Sequence, residues 1–248
     1  MTESRARSFG AAAAAYARHR PGYPDAAVLW ALEPVSDRPY PQLLDLAAGT
    51  GKLTGSLLPH GSVTAVEPDP AMLAELRRHF PAITAAEGTA EEIPLPDNSV
   101  DAVLVGQAWH WFDPDRALPE IARVLRPGGV LAALWNGDDA RVDWVRGYHE
   151  AGRWDATVVR APDEIPELPA HPLFTTPSVY AEFGNPVRTT VDGLAATLRT
   201  HSWALTADPA DREAAIDRLR AYLAERPETS AGTFELPLVT DVVRALRK

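Results

Sequence analysis

Asp45, the glycines Gly49 and Gly51, and Glu67 have the residue types and spacing that point most directly to chemistry. The apolar run Leu43-Leu44-Asp45-Leu46-Ala47 reads as a buried strand carrying one acid. The chain then turns through Ala48-Gly49-Thr50-Gly51 and enters a helical pattern at Lys52. Glycine lets backbone approach a bound molecule where a side chain would collide, and it tolerates positive φ. The N–H groups that open the next helix face whatever occupies the turn. One strand later, Val63-Thr64-Ala65-Val66 ends in Glu67, whose carboxylate can accept from both hydroxyls of a ribose. This order of acid, glycine turn and second acid suits a nucleoside-bearing cofactor at the carboxyl edge of a parallel sheet. The dinucleotide pattern G-x-G-x-x-G is broken, because Thr54 stands at the third glycine. A P-loop is excluded too: one residue separates the glycines, and Lys52 leads to Leu53 rather than Ser or Thr. Asp45 would repel a pyrophosphate, but it can accept hydrogen bonds from a cationic amino-acid ligand.

A second group is Gly106-Gln107-Ala108-Trp109-His110-Trp111-Phe112-Asp113, which follows another apolar strand pattern. An imidazole titrates near neutrality, so His110 is the best placed general base. The competing role for His110 is packing between Trp109 and Trp111. Tyr16 and Trp109 offer π-faces to a cation. Arg20 can pair with a ligand carboxylate or cap the end of its own helix. The other histidines, His19, His60, His79, His149, His171 and His201, show no metal-ligand spacing and read as surface or packing. No metal site is expected. Ser56, Ser99 and Ser202 lack a nucleophile-elbow context. There is no cysteine, which excludes disulfides, thiolate metal sites and a thiol nucleophile.

The glycine turn flanked by Asp45 and Glu67 resembles that of class I S-adenosylmethionine (SAM)-dependent methyltransferases. The segment Ala85-Ala86-Glu87-Gly88-Thr89-Ala90-Glu91-Glu92-Ile93-Pro94-Leu95-Pro96-Asp97 resembles the stretch that reads the adenine edge in small-molecule members. By position, Thr89 and Ala90 would do so here, with Glu91 beside them. That family often has Asp where this chain has Thr89. Arg126-Pro127-Gly128-Gly129 is similar to the family's L-x-P-G-G turn, a structural feature. The run from Gln107 to Phe112, with Tyr16, Arg20, Pro21, Tyr23 and Pro24 ahead of it, is similar to the trans-aconitate methyltransferase-like branch. Together the residues and the resemblance place the cofactor at Tyr16, Arg20, Asp45, Ala47, Gly49, Gly51, Glu67, Pro68, Met72, Thr89, Ala90, Glu91 and Gln107. His110 and Tyr16 are the catalytic candidates. Trp109, His110, Trp111, Trp144 and Tyr148 are expected at the acceptor. The implied reaction is methyl transfer to a small molecule, on O, N or C. The acceptor is aromatic, or it is a carboxylate taken up by Arg141, Arg146, Arg153 and Arg160. The alternative is a SAM-binding protein of the same fold without methyl transfer, acting as a sensor, a partner subunit or a pericyclic catalyst.

The elements that must position these groups follow from periodicity. Strand patterns cover residues 42–47, 62–66, 83–86, 101–105 and 129–135, and helical patterns cover residues 52–58, 70–80 and 116–125. That alternation implies a doubly wound, mostly parallel α/β sheet, seven-stranded by the resemblance. Residues 1–40 are read as an N-terminal helical lid with an alanine-rich helix over residues 9–20. Residues 41–137 are the SAM-binding Rossmann-like core, 138–177 a cap insertion, and 178–248 the rest of the sheet and its helices. Within that last part, residues 178–184 and 233–238 read as strands, the second pushed toward an edge by Pro237. Helical patterns cover residues 194–201 and 212–225. A net charge of −10, with acids and bases interspersed, offers no phosphate footprint, so nucleic acid is not the expected partner. The opening Met1-Thr2-Glu3-Ser4-Arg5 has no apolar core, and no run is long enough to cross a bilayer. A cytoplasmic monomer or homodimer is expected.

Overall fold

The run carrying Asp45 becomes the strand β1 (Gln42–Leu46), set inside the sheet by two apolar faces rather than one. Leu44 and Leu46 point into one buried cluster with Val103, Val105, Leu131 and Ala133. Leu43 points into another with Ala102, Leu104, Val130, Ala132 and Leu134. Strands apolar on both faces must be covered by helices on both sides. In this computed structural model, which describes residues 13–152 and 166–248, the covering is complete. The helices α2 (Asp25–Leu32) and α3 (Lys52–Leu57) pack on the Leu43 face, and α5 (Pro114–Val124) packs on the other.

The remaining strands are β2 (Ser62–Glu67), β3 (Thr84–Glu87), β4 (Val100–Gly106), β5 (Leu125–Asp138), β6 (Val179–Gly184) and β9 (Leu238–Leu246). The seven-stranded sheet has the order β3-β2-β1-β4-β5-β9-β6. Pairings from β3 to β5 are parallel, whereas β9 runs antiparallel between β5 and β6. The chain leaves β1 toward β2 and β3, then returns to the other side of β1 as β4. The crevice at the carboxyl ends of β1 and β4 is therefore the topological switch point, where ligands bind in such sheets. At the opposite edge Asp101 accepts from the Gln42 N–H at 2.7 Å, from Arg126 at 2.7 Å and from Arg38.

The expected strand over residues 233–238 needs correction. Residues Thr233–Leu236 form β8, which pairs with β7 (Val187–Thr190) in a separate two-stranded sheet. Pro237 then breaks the chain, and Leu238–Leu246 completes the main sheet. The β9 signal was masked by buried polar residues: Thr240 donates to Asn136 Oδ1 at 2.5 Å, and Asp241 accepts from the Tyr180 hydroxyl at 2.7 Å.

Beside the sheet stands a small lobe with its own apolar cluster. It unites α6 (Asp143–Gly152), α7 (Val191–Leu198), α9 (Pro209–Ala224), β8 and Leu238. Its members come from both sides of residue 177, where the sequence boundary was drawn. The short helix α8 (Ser202–Thr206) joins α7 to α9. Among the described residues the N-terminal helix is α1 (Ala13–His19); Phe9 and the start of the expected helix lie outside them. Helix α1 packs against both α4 (Pro70–His79) and α7, so it spans from the sheet to the small lobe.

Candidate active site

The glycine turn is built by backbone that few residues adopt. Ala47, Gly49 and Gly51 all have positive φ, at 57°, 57° and 90°. Gln107, at the matching position after β4, has φ 59°. Left-handed Ala and Gln cost free energy, and such residues collect at functional sites. The two glycines are not equivalent. A Cβ on Gly49 would meet only the Met72 sulfur, at 3.7 Å. A Cβ on Gly51 would sit 2.6 Å from the Phe80 ring, so Gly51 serves packing of α3 on Phe80.

The two acids flank this turn. Glu67 is buried, and its oxygens accept from the Gly49 N–H and the Asp69 N–H, both at 2.8 Å. Burial pushes its carboxyl up to about 7 against those two hydrogen bonds. Two accepted bonds leave lone pairs to spare on a carboxylate. Asp45 is fully buried; its Oδ2 accepts from the Thr54 hydroxyl at 2.5 Å, and its Oδ1 has no partner among the described residues. Burial raises it to about 7 as well. An orphaned, buried carboxylate oxygen beside a turn open at Gly49 is the donor-seeking arrangement a cationic amino-acid group would satisfy. Met72, buried, and Pro68, exposed, lie at the start of α4, whose N-cap Asp69 accepts from Ala71 N–H at 2.8 Å and Met72 N–H at 3.1 Å.

Beyond β3, Thr89 is exposed and Ala90 is buried, while Glu91 accepts from the Asp113 N–H at 3.0 Å. Glu91 thus ties this loop to the turn before α5. His110 lies in a helical turn, Trp109–Trp111, with its ring centroid 4.7 Å from that of Trp111. It is exposed as a residue, yet partial burial of its ring holds the imidazole below its ordinary value. Trp109 is a core residue with its ring 5.6 Å from Phe112, and Trp111 is half-buried against the same cluster.

A cavity of about 70 Å³ lies between α1, the ends of β4 and β5, and the small lobe. Its walls include Tyr16, Arg20, Tyr23, Lys52, Gln107, Asp138 and His201. The Pro21-Gly22-Tyr23-Pro24 turn is fastened above the sheet: Asn136 and Asn185 both donate to the Gly22 carbonyl at 3.0 Å. The Tyr23 hydroxyl would lie 2.6 Å from a Cβ at Gly106, so only glycine fits there. Arg20 donates to Thr200 Oγ1 at 2.9 Å, with its guanidinium 5.2 Å from the Tyr16 ring centre.

The structure brings Asp45, Ala47, Gly49, Gly51, Glu67, Met72 and Gln107 together at the switch point, with Tyr16 and Arg20 across the cavity. Other expectations it corrects. Trp144 and Tyr148 are buried in the small-lobe core, because they occupy the apolar face of α6; Trp144 packs edge-on against Phe234 at 5.8 Å. Arg141 is neutralised by Asp139 at 2.7 Å and Glu182 at 2.8 Å, and Arg146 by Asp143, so neither is free for a carboxylate. Arg153, Trp154 and Arg160 lie outside the described residues. His110 does not line the cavity; His201, read as surface or packing, does. Nothing local in the sequence marks His201, since its neighbours come from distant segments.

Comparison with known proteins gives the family of the chain. Residues 44–133, the span from β1 to β5, match the model of a family described as a methyltransferase domain. A methyltransferase of Mycobacterium tuberculosis, described as uncharacterised, is 46% identical over 240 residues, covering 96% of this chain and 95% of its own length. The chain belongs to the class I SAM-dependent methyltransferases. A solved structure of a candidate type II methyltransferase from Anaeromyxobacter dehalogenans superposes on this methyltransferase with TM-score 0.62. It is 30% identical, covering 92% of this chain and 97% of that one. The malonyl-[acyl-carrier protein] O-methyltransferase of Methylococcus capsulatus is 39% identical over 123 residues, covering 44% of this chain and 45% of its own. That likeness spans less than half of either chain.

Proposed function

We propose that this methyltransferase moves a methyl group from SAM to a small-molecule acceptor held between the switch point and the small lobe. The observation that carries the reading is the pair of buried acids around the open turn: Glu67 with lone pairs to spare and Asp45 with an unpartnered oxygen. Glu67 would hold the ribose hydroxyls and Asp45 the methionyl ammonium. Gly49 would admit the backbone-hugging part of the molecule over Met72 and Pro68. The adenine edge would meet Thr89, Ala90 and Glu91. Tyr16, Arg20, Ala47 and Gln107 would stand where cofactor and acceptor meet. When bound, SAM supplies a methyl group already activated on a sulfonium. The chain's part is then in-line placement of the acceptor and exclusion of water. The trans-aconitate-like branch remains part of the proposal, supported by the motifs at residues 16–24 and 107–112. Among the described residues no helix is long and apolar enough to cross a membrane, and no acidic, histidine or cysteine cluster could hold a metal ion.

The test has two stages. Calorimetry should show binding of SAM and of its demethylated product, and Glu67→Ala should weaken both by about 1.5–3 kcal/mol. Labelled SAM mixed with a metabolite extract should then place label in small molecules resolved by mass spectrometry. Wild-type protein that fails to bind SAM would remove the reading. Binding with no label transferred to any fraction would favour the SAM-binding protein without transfer.

A further inference from the structure

The cavity gathers Arg20, Lys52, Asp138 and His201 from four distant segments of the chain. Lys52 lines it half-buried; desolvation alone lowers the ammonium's pKa, and the described residues supply no acid to pair with it. Arg20 is held by the uncharged Thr200, through Oγ1 at 2.9 Å and the carbonyl at 3.3 Å. The acid in the same wall, Asp138, acts on Arg20 and is shared: its Oδ2 is 2.9 Å from His149 Nε2, and it also faces the buried Tyr148 hydroxyl. Arg20 and Lys52 thus bring two positive charges to the wall against the single carboxylate of Asp138, so the lining carries a net positive charge that favours an anion.

His201 stands in the same wall, at the N-terminal boundary of α8. Neither ring nitrogen bonds to any described residue. The groups that act on it are Arg20, from the turn after α1, and His149, from α6. Tyr16, Tyr23, Lys52 and Asp138 complete the titratable lining. Burial first, then Arg20 and His149, hold the imidazole well below its ordinary value, so it is neutral and can accept a proton.

We propose that this cavity is the acceptor subsite, that it takes a small molecule whose ionised acid group pairs with Arg20 and Lys52, and that His201 is the catalytic base for a neighbouring hydroxyl, amine or acidic carbon. This rests on the methyltransferase reading above. The acceptor atom forms its bond to the methyl carbon as the sulfur–methyl bond breaks, and that electron pair stays on sulfur, which becomes a neutral thioether. The acceptor's proton passes to the free ring nitrogen of His201, so the positive charge of the sulfonium ends on the imidazolium. An anion seated on Arg20 offsets the Arg20 part of that depression, while burial remains. His201 is thus a stronger base with the acceptor in place than without it.

The direct test is a pH titration of the His201 ring by nuclear magnetic resonance, with the signal assigned through His201→Gln. Acetate, malonate and benzoate are the probes, with acetamide, malonamide and benzamide as neutral controls. The acids should raise the proton affinity of His201 about tenfold, and the amides should leave it unchanged. Arg20→Gln should abolish the response, and Arg20→Lys should restore part of it. If none of the three acids moves His201 more than its amide does, the proposal falls. Calorimetry with SAM keeps the two readings apart. Normal SAM binding with no anion response overturns this proposal alone, whereas absent SAM binding overturns the reading beneath it. An Arg20→Gln protein that loses SAM affinity but keeps the anion response would assign Arg20 to the cofactor and also overturn the pairing proposed here.

Discussion

Asp45 and Glu67 store unfavourable ionisation that a cofactor should recover, and the two processes depend on pH with opposite signs. Both carboxyls stand at about 7 in the folded protein because they are buried, against ordinary values of 4.5 for Glu and 3.8 for Asp. The folded state therefore holds these protons more tightly than the unfolded chain. Their contribution to stability is greatest below the unfolded values and is lost as pH rises through the window up to about 7. At about 1.4 kcal/mol per pH unit, that window removes roughly 3 kcal/mol for Glu67 and roughly 4 kcal/mol for Asp45. Cofactor binding runs the other way, since ribose hydroxyls and an ammonium donate to the ionised carboxylates. With midpoints near 7, each acid is about one-tenth ionised at pH 6 and nine-tenths at pH 8. Affinity for S-adenosylhomocysteine should therefore rise about tenfold if one acid is engaged. It should approach about a hundredfold, or 2.8 kcal/mol, if both are. Calorimetry at the two pH values, in buffers of different ionisation enthalpy, measures affinity and protons released together. Glu67→Gln and Asp45→Asn should each flatten one part of the slope, and comparison with wild type cancels the ligand's own titration. Affinity that is level from pH 6 to 8, with no proton release, would refute the assignment of both acids.

The remaining expectations concern single positions. Gly49→Val should abolish SAM binding in calorimetry while unfolding cooperatively within about 2 kcal/mol of wild type, because only Met72 lies near and the cost is the left-handed backbone. Gly51→Val should instead lower the melting temperature, because its side chain would collide with Phe80. Asp101→Asn should destabilise the fold by about 3 kcal/mol in urea titrations and leave SAM affinity unchanged. It strands Arg38 and Arg126 at the edge remote from the site. Once an acceptor is known, His201→Gln should cut the maximal rate by about 10²–10⁴-fold and remove a pKa from the pH–rate curve. His110→Ala should do neither; a large rate loss there would return the base to the turn after β4.

The main sheet was legible because its strands are apolar on both faces. Leu43-Leu44, Val103-Leu104-Val105 and Leu131-Ala132-Ala133-Leu134 form continuous runs that only a doubly covered sheet can bury. In the structure Asp69 and Asp113 cap α4 and α5, each followed by a proline in the first turn. Where strand residues pair polar groups in the interior, the pattern failed. Thr240 and Asp241 break the apolar run of β9, yet both are satisfied by partners, Asn136 and Tyr180, far away in sequence. Trp144 and Tyr148 misled for the opposite reason. Large aromatics at helical spacing can face a ligand or a core, and α6 uses them to build the small lobe.

The two halves of the candidate site differ in the same way. The cofactor half is local: a strand end, a turn and a helix start hold Asp45, Gly49 and Gly51, and the next strand brings Glu67 to within 2.8 Å of the Gly49 N–H. Short-range pattern and backbone chemistry suffice to read it. The acceptor half depends on tertiary contacts. Arg20 reaches Thr200, Thr197 donates to the His19 carbonyl at 3.1 Å, and Asn136 and Asn185 fasten Gly22. In each of these bonds the two partners lie at least 114 residues apart. A histidine's chemistry is set by what surrounds it, and the cation that tunes His201 arrives from the other end of the chain. His110 drew attention because its aromatic neighbours are adjacent in sequence, whereas the environment of His201 exists only after α1 has docked on α7. The surroundings of this base depend on that docking, which the residues flanking His201 alone could not encode.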